Sequence, residues 1–156
     1  MLDLIKKIRI TAKNTTTFRV GLLQTKAYRI LKQHTSNVLN EFDISSVEWA
    51  LLGILCDSEK GIRASNLAEE LGVEASFITQ TLQKLKGTGY IELRKDSNDL
   101  RAKILSLSDK GKRFVNTTEK HLKEETEPLL KDINLKDLIS YLSVMQKIID
   151  NDNSLK

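Results

Sequence analysis

Residues 62–111 read IRASNLAEELGVEASFITQTLQKLKGTGYIELRKDSNDLRAKILSLSDKG, and the punctuation of this stretch decides the fold. Ser65 to Leu71 predicts a short helix, stopped by Gly72, a residue suited to the left-handed conformation that ends helices. A tight turn leads to a second helix over Ala75 to Lys86, with Ile78, Leu82 and Leu85 at i, i+4 and i+7 facing inward. Gly87 and Gly89 end it. Tyr90 to Lys95 then reads as a strand, Asp96 to Asp99 as a turn, and Lys103 to Leu107 as a returning strand. Two helices and a charged hairpin in this order predict a helix-turn-helix followed by a wing.

The flanks are helical. Upstream, Phe18 to Phe42 predicts one helix, because Val20, Leu23, Ala27, Leu31, His34 and Val38 recur at steps of three and four. Ser45 and Glu48 are spaced as a capping box. The helix they start, Val47 to Cys56, is so continuously apolar that burial on most sides is expected. Downstream, Ser108 caps a long helix, and Gly111 in its first turn allows close approach to the hairpin. Pro128 is expected to kink or split that helix. A last helix over Leu135 to Ile149 keeps Leu138, Leu142, Met145 and Ile149 in register. The fold class is therefore mostly α (α+β), a winged helix-turn-helix with a two-stranded wing between long N- and C-terminal helices. Residues 1–44 form an extension and first dimerisation helix, 45–110 the winged region, and 111–156 the C-terminal dimerisation helices.

Composition agrees. With 156 residues, 40% of them hydrophobic and 29% charged, the chain is long enough to bury a core. It has no apolar run near the roughly 20 residues that span a bilayer, and no secretory apolar segment at its N-terminus. No membrane association and a cytoplasmic location are expected. The net charge is only +4, but it is unevenly placed. Residues 1–37 hold 8 basic residues against one acid, and Lys60 to Arg113 hold 11 against 7, whereas Glu41 to Glu59 has five acids and no base. Positive charge gathers at the N-terminus and on the winged region, where a phosphate backbone would meet it.

A major groove admits one α-helix, and the second helix of a helix-turn-helix enters it while the first braces across the backbone. Ser65 stands at the start of the bracing helix. The outward positions of the second helix are Ser76, Phe77, Thr79, Gln80, Gln83 and Lys84. An amide such as Gln80 suits the N6 and N7 edge of adenine. Ser76 and Thr79 can reach a base or a phosphate, Phe77 can touch a thymine methyl, and Lys84, a turn deeper, suits a phosphate. Polar residues on a surface helix also satisfy water alone; the wing that follows is what favours double-stranded DNA as partner. There, Arg94, Lys95, Arg101 and Lys103 flank a turn that also holds Asp96 and Asp99, a basic finger suited to a minor groove. Asp99 and Arg101 are close enough in sequence to pair.

From about Leu31 to Ile149 the sequence resembles the MarR family of bacterial transcription regulators. The residues that carry the resemblance are Leu67-Ala68 with Leu71-Gly72, Ile78-Thr79 with Leu82 and Leu85, and Gly89-Tyr90-Ile91. Arg94, Asp99 and Arg101 in the wing, and Leu107-Ser108 with Gly111, continue it. The resemblance implies a homodimer whose first and last long helices interlock, with two winged helices facing one palindromic operator, their reading helices about 34 Å apart. It implies repression released by a small anionic or phenolic effector, or by thiol oxidation in some members. The chain departs from the family at Gln80, where Arg is frequent, and at Glu74, where Ser or Asp would cap the reading helix. Its first 17 residues extend beyond the family's usual core.

The remaining candidates divide between packing and chemistry. Cys56 follows an apolar run and precedes acids, so a buried, inert thiol is expected rather than a redox switch. His34 lies on the apolar stripe of the first helix and is expected to be hydrogen-bonded at a dimer seam. Arg19, Tyr28, His34 and Trp49 are candidate effector-pocket residues. With His34, His121 and Cys56 spread along the chain, no metal-spaced cluster exists and no cofactor is expected. No phosphate loop, nucleophile elbow or paired-carboxylate site is legible, so an enzyme is not expected. The rival to a DNA-binding regulator is a winged-helix protein-interaction module without DNA binding, since fold does not settle function.

Overall fold

The structure is a computed structural model that describes residues 17–58, 60–96 and 103–155. Its elements in chain order are α1 (Thr17–Glu41), α2 (Ser46–Asp57), β1 (Ile62–Arg63), α3 (Ala64–Leu71), α4 (Ala75–Gly87), β2 (Ile91–Lys95) and β3 (Lys103–Leu107). They are followed by α5 (Asp109–Thr126), a 3-10 turn (Glu127–Leu130) and α6 (Leu135–Ser154). This is the helix-turn-helix and wing read from the sequence, flanked by long helices.

Local chemistry sets the element ends. The Ser45 hydroxyl accepts from the Glu48 amide at 3.2 Å, and the Glu48 carboxylate accepts from the Ser45 amide at 2.7 Å. Two otherwise orphaned donors at the start of α2 are thereby satisfied. Gly72 closes α3 at φ 64° and donates to the Ala68 and Glu69 carbonyls, a backbone state that costs glycine nothing. Pro128 splits the C-terminal stretch: α5 stops at Thr126 and the 3-10 turn carries the proline.

The core forms around one side of α2, where Leu51, Leu52 and Leu55 are buried together with Leu39 of α1, Leu67 of α3, Ile78 and Leu85 of α4 and Leu105 of β3. Burial of α2 is narrower than its apolar run suggests. Gly53 and Ile54 are half-buried, and Cys56 is exposed rather than packed away. Neighbouring residues on a helix point about 100° apart, so burying Leu55 turns Cys56 outward in the last turn.

The sheet has one strand more than the expected hairpin. β2 and β3 pair antiparallel from Ile91 opposite Leu107 to Lys95 opposite Lys103. β1 adds to the other edge of β3, with Ile62 opposite Leu105 and Arg63 opposite Ile104, giving the order β1-β3-β2. Two residues carry no readable period; they become a strand because β3 offers an open row of backbone donors and acceptors.

α5 is seated against the sheet's entry by Ser108 and Gly111. The Ser108 hydroxyl donates to the Gly89 carbonyl at 2.6 Å and accepts from the Gly111 amide at 2.9 Å. Tyr90 stacks on Phe114 with ring centroids 4.2 Å apart. A Cβ on Gly111 would lie 2.0 Å from the Tyr90 carbonyl oxygen, so the close approach needs glycine.

Residues up to Glu125 form one compact unit and those from Thr126 another. In the second, the Asn134 side chain caps α6 by accepting from the Asp137 amide at 2.9 Å. α6 buries none of its residues. No helix among the described residues is long and apolar enough to cross a membrane.

Because backbone and not a flexible side chain faces Gly111, Gly111→Ala is expected to destabilise the first unit by about 3 kcal/mol. Urea unfolding followed by circular dichroism checks this; an unchanged midpoint would contradict the close approach.

Candidate nucleic-acid interface

α4 presents two chemically distinct sides. Ile78 (1% exposed) and Leu85 (2%) are buried with Thr81, and Leu82 packs against the same core. Ser76, Phe77, Thr79, Gln80, Gln83 and Lys84 are exposed. The inward positions recur at three and four, which leaves the polar set on the opposite arc. Glu74 precedes the helix and makes no side-chain cap; the Ser76 hydroxyl instead donates to its carboxylate at 3.4 Å. Ser65, at the start of α3, is exposed and donates to the Asn66 side chain at 3.1 Å.

Lys84 does more than face solvent. Its ammonium lies 3.0 and 3.2 Å from the two oxygens of Glu48, a carboxylate that is nearly fully buried beneath α4. To touch a phosphate, Lys84 would first have to leave this partner. Burial alone would raise the Glu48 carboxyl, but the Ser45 amide and hydroxyl and the Lys84 ammonium outweigh it and hold the group below its ordinary 4.5. The same hydrogen bond to Glu48, with Asp43 nearby, holds Lys84 above its ordinary value.

The wing is anchored from behind. Arg63, the last residue of β1, donates through Nε at 2.9 Å to Asp96, which is buried at the end of β2. Arg94 donates to the Lys60 carbonyl. Lys95 and Lys103 are exposed and directly opposite one another across the hairpin. Like charges in that position destabilise a strand pair. Asp99 and Arg101, the expected pair at the wing tip, lie outside the described residues.

The four effector-pocket candidates are not gathered. Arg19 and Tyr28 are exposed on α1, nine residues and about 14 Å apart along its axis. His34 is half-buried and bonded through Nδ1 to Glu125 at 2.6 Å, joining α1 to α5 within one chain. Trp49 packs against the core. Cys56 instead lines an open groove of about 820 Å³ behind the wing, together with Lys60, Arg94 and Lys112. Among the described residues, no group of three or more His, Cys, Asp or Glu side chains could hold a metal ion.

Sequence reading missed the partners of these residues. Glu48 was legible only as a cap, and Arg63 carried no local signal, because its partner is 33 residues away.

Residues 42–102 match the family model described as the MarR family. Over that stretch the chain resembles the MarR family, and its fold is a winged helix-turn-helix. The HTH-type transcriptional regulator TcaR of Staphylococcus aureus is 23% identical over 111 residues, covering 70% of this chain and 72% of its own. Two solved structures share the fold. CouR from Rhodococcus jostii, bound to p-coumaroyl-CoA, aligns with TM-score 0.75 at 16% identity over 83% of this chain and 90% of its own. A mutant of MepR from S. aureus, bound to an oligodeoxyribonucleotide, aligns with TM-score 0.61 at 20% identity over 91% of this chain and all of its own. The shared fold thus takes in more of the chain than residues 42–102.

Glu48 has a depressed folded value, so its stabilising contribution is present above about 4.5 and is lost as pH falls through the folded value. Between pH ~6 and ~3 the wild type is expected to lose more stability than Glu48→Gln. Equal losses in acid titrations of thermal stability would show that the carboxylate contributes nothing.

Proposed function

We propose that the chain is a sequence-specific DNA-binding transcriptional regulator, acting as a homodimer on a palindromic operator and as a repressor released by a small anionic or phenolic molecule. The observation that carries this reading is the open polar side of α4: Ser76, Thr79, Gln80 and Gln83 are exposed while Ile78 and Leu85 hold the helix to the core. A reading helix needs that division, because base edges are read by side chains that the protein's own packing leaves available. MepR, which shares the fold, carries DNA in its solved complex, and CouR carries an aromatic acyl thioester.

The wing supplies charge. Lys95 and Lys103, opposed across one rung, repel one another until phosphate lies between or beside them. Arg94, tied to the Lys60 carbonyl, stiffens the strand that carries Lys95, and Arg101 of the same hairpin sequence adds a further positive charge. Lys84 acts from inside through Glu48.

A second copy of the chain is the partner that the long helices call for. α1 exposes Phe18, Leu22, Leu23 and Ile30, and α6 exposes Leu135, Ile139, Leu142 and Ile148, each about half or more accessible. Apolar helix surfaces of this extent mark association sites, and homodimers are the commonest closed assembly.

Sequencing duplex fragments retained by the purified protein is expected to return a palindrome with half-sites about one helical turn apart. Gln80→Ala should relax base preference at one position per half-site, whereas Lys95→Ala and Lys103→Ala should weaken all sequences alike and lower the salt slope by about one each. No retention on DNA at low salt would favour the protein-interaction module instead. In sedimentation, the wild type is expected at twice its 17.7 kDa, and Leu142→Asp should shift it toward the monomer. A monomeric wild type at micromolar concentration would exclude the dimer.

A further inference from the structure

We infer that Lys84 is a positioning residue for DNA reading: clamped between α4 and the buried Glu48 carboxylate, it fixes the rotation of the reading helix and touches no phosphate. The inference rests on the DNA-binding reading above and changes the role of its most deeply placed cation.

Glu48 offers both oxygens to one ammonium, at 3.0 and 3.2 Å, while one of them also accepts from the Ser45 amide at 2.7 Å. A single carboxylate therefore joins the first turn of α2 to the last turns of α4. Glu48 is 4% exposed, and a buried charge that loses its counter-charge is costly, so the pairing is retained rather than exchanged for a solvent partner. The aliphatic contacts of α4 on the core are Ile78, Leu82 and Leu85, beside the buried Thr81. Aliphatic contacts hold the helix down but carry no directional preference of their own. An ion pair with two short contacts is directional.

Its placement matters for reading. Lys84 is four residues beyond Gln80, one turn along the same side of the helix. Fixing Lys84 against Glu48 therefore fixes the direction in which the Gln80 amide leaves the helix. An amide that must meet two atoms of one base edge tolerates little rotation. A helix released from the clamp would still lie in the groove and still meet phosphates through the wing, but would discriminate less between base sequences.

The test compares wild type, Lys84→Met, Glu48→Gln, the double variant and Lys84→Arg. Each is titrated with a selected operator and with unrelated duplex, over a range of salt. Positioning predicts that Lys84→Met and Glu48→Gln each lower the ratio of specific to non-specific affinity by about tenfold. The double variant should fall no further than either single change. Non-specific affinity and salt slope should stay unchanged, and Lys84→Arg should restore discrimination.

A phosphate contact predicts a different pattern. Lys84→Met would then weaken operator and unrelated duplex alike and lower the salt slope by about one. Glu48→Gln, which frees the ammonium, would bind as tightly as wild type or tighter. Either result overturns the inference. Melting curves establish that each variant is folded; if Glu48→Gln is not, Lys84→Met at its half-exposed site decides alone through its ratio and slope. A wild type that holds every duplex equally would overturn the functional reading itself. Failure of the clamp alone shows only in the variants.

Discussion

One buried side of α2 supports everything that the winged region presents to the outside. Leu51, Leu52 and Leu55 on this helix are covered by residues of α1, α3, α4 and β3, so α4 and the sheet are registered to a common surface and not merely to each other. Close packing transmits displacement, since interiors are as dense as organic crystals. A shift of α2 therefore moves α4 and β3 together. Glu48 lies at the edge of this surface, where one carboxylate adds direction to what hydrophobic contact leaves loose.

Two long-range ion pairs perform comparable work at different places. Glu48–Lys84 joins α2 to α4, and Arg63–Asp96 joins the short strand β1 to the base of the wing. In each, the acid is buried and the base is half-exposed. Pairs of this kind add little net stability, because desolvation offsets the attraction. Their use lies in holding one arrangement among several of similar packing energy. Both act on the two elements proposed to meet DNA.

Legibility followed distance along the chain. The Ser45–Glu48 box, the Gly72 stop, the Ser108 cap on the Gly111 amide and the break at Pro128 are each contained within a few residues, and each is present in the structure. β1 was not readable, because a two-residue strand exists only by pairing with Ile104 and Leu105 more than forty positions later. The outward turn of Cys56 and the pairing of Lys84 with Glu48 were not readable for the same reason. Composition around Cys56 is apolar, but exposure depends on which neighbour wins the buried side, and that is decided by elements far away in sequence. The candidate site divides in the same way. Exposure of Ser76, Thr79, Gln80 and Gln83 follows from helical period, whereas the scattering of Arg19, Tyr28, His34 and Trp49 follows only from tertiary placement.

α6 has no buried residue, and that has a consequence for how much protein must be present. Helices in proteins draw most of their stability from packing of an apolar side, so the persistence of α6 falls to whatever covers its aliphatic residues. If the cover is another copy, the folding of this segment obeys mass action, and dilution alone unravels it. The abundance of the chain then sets the fraction that is whole, before any operator or small molecule has acted.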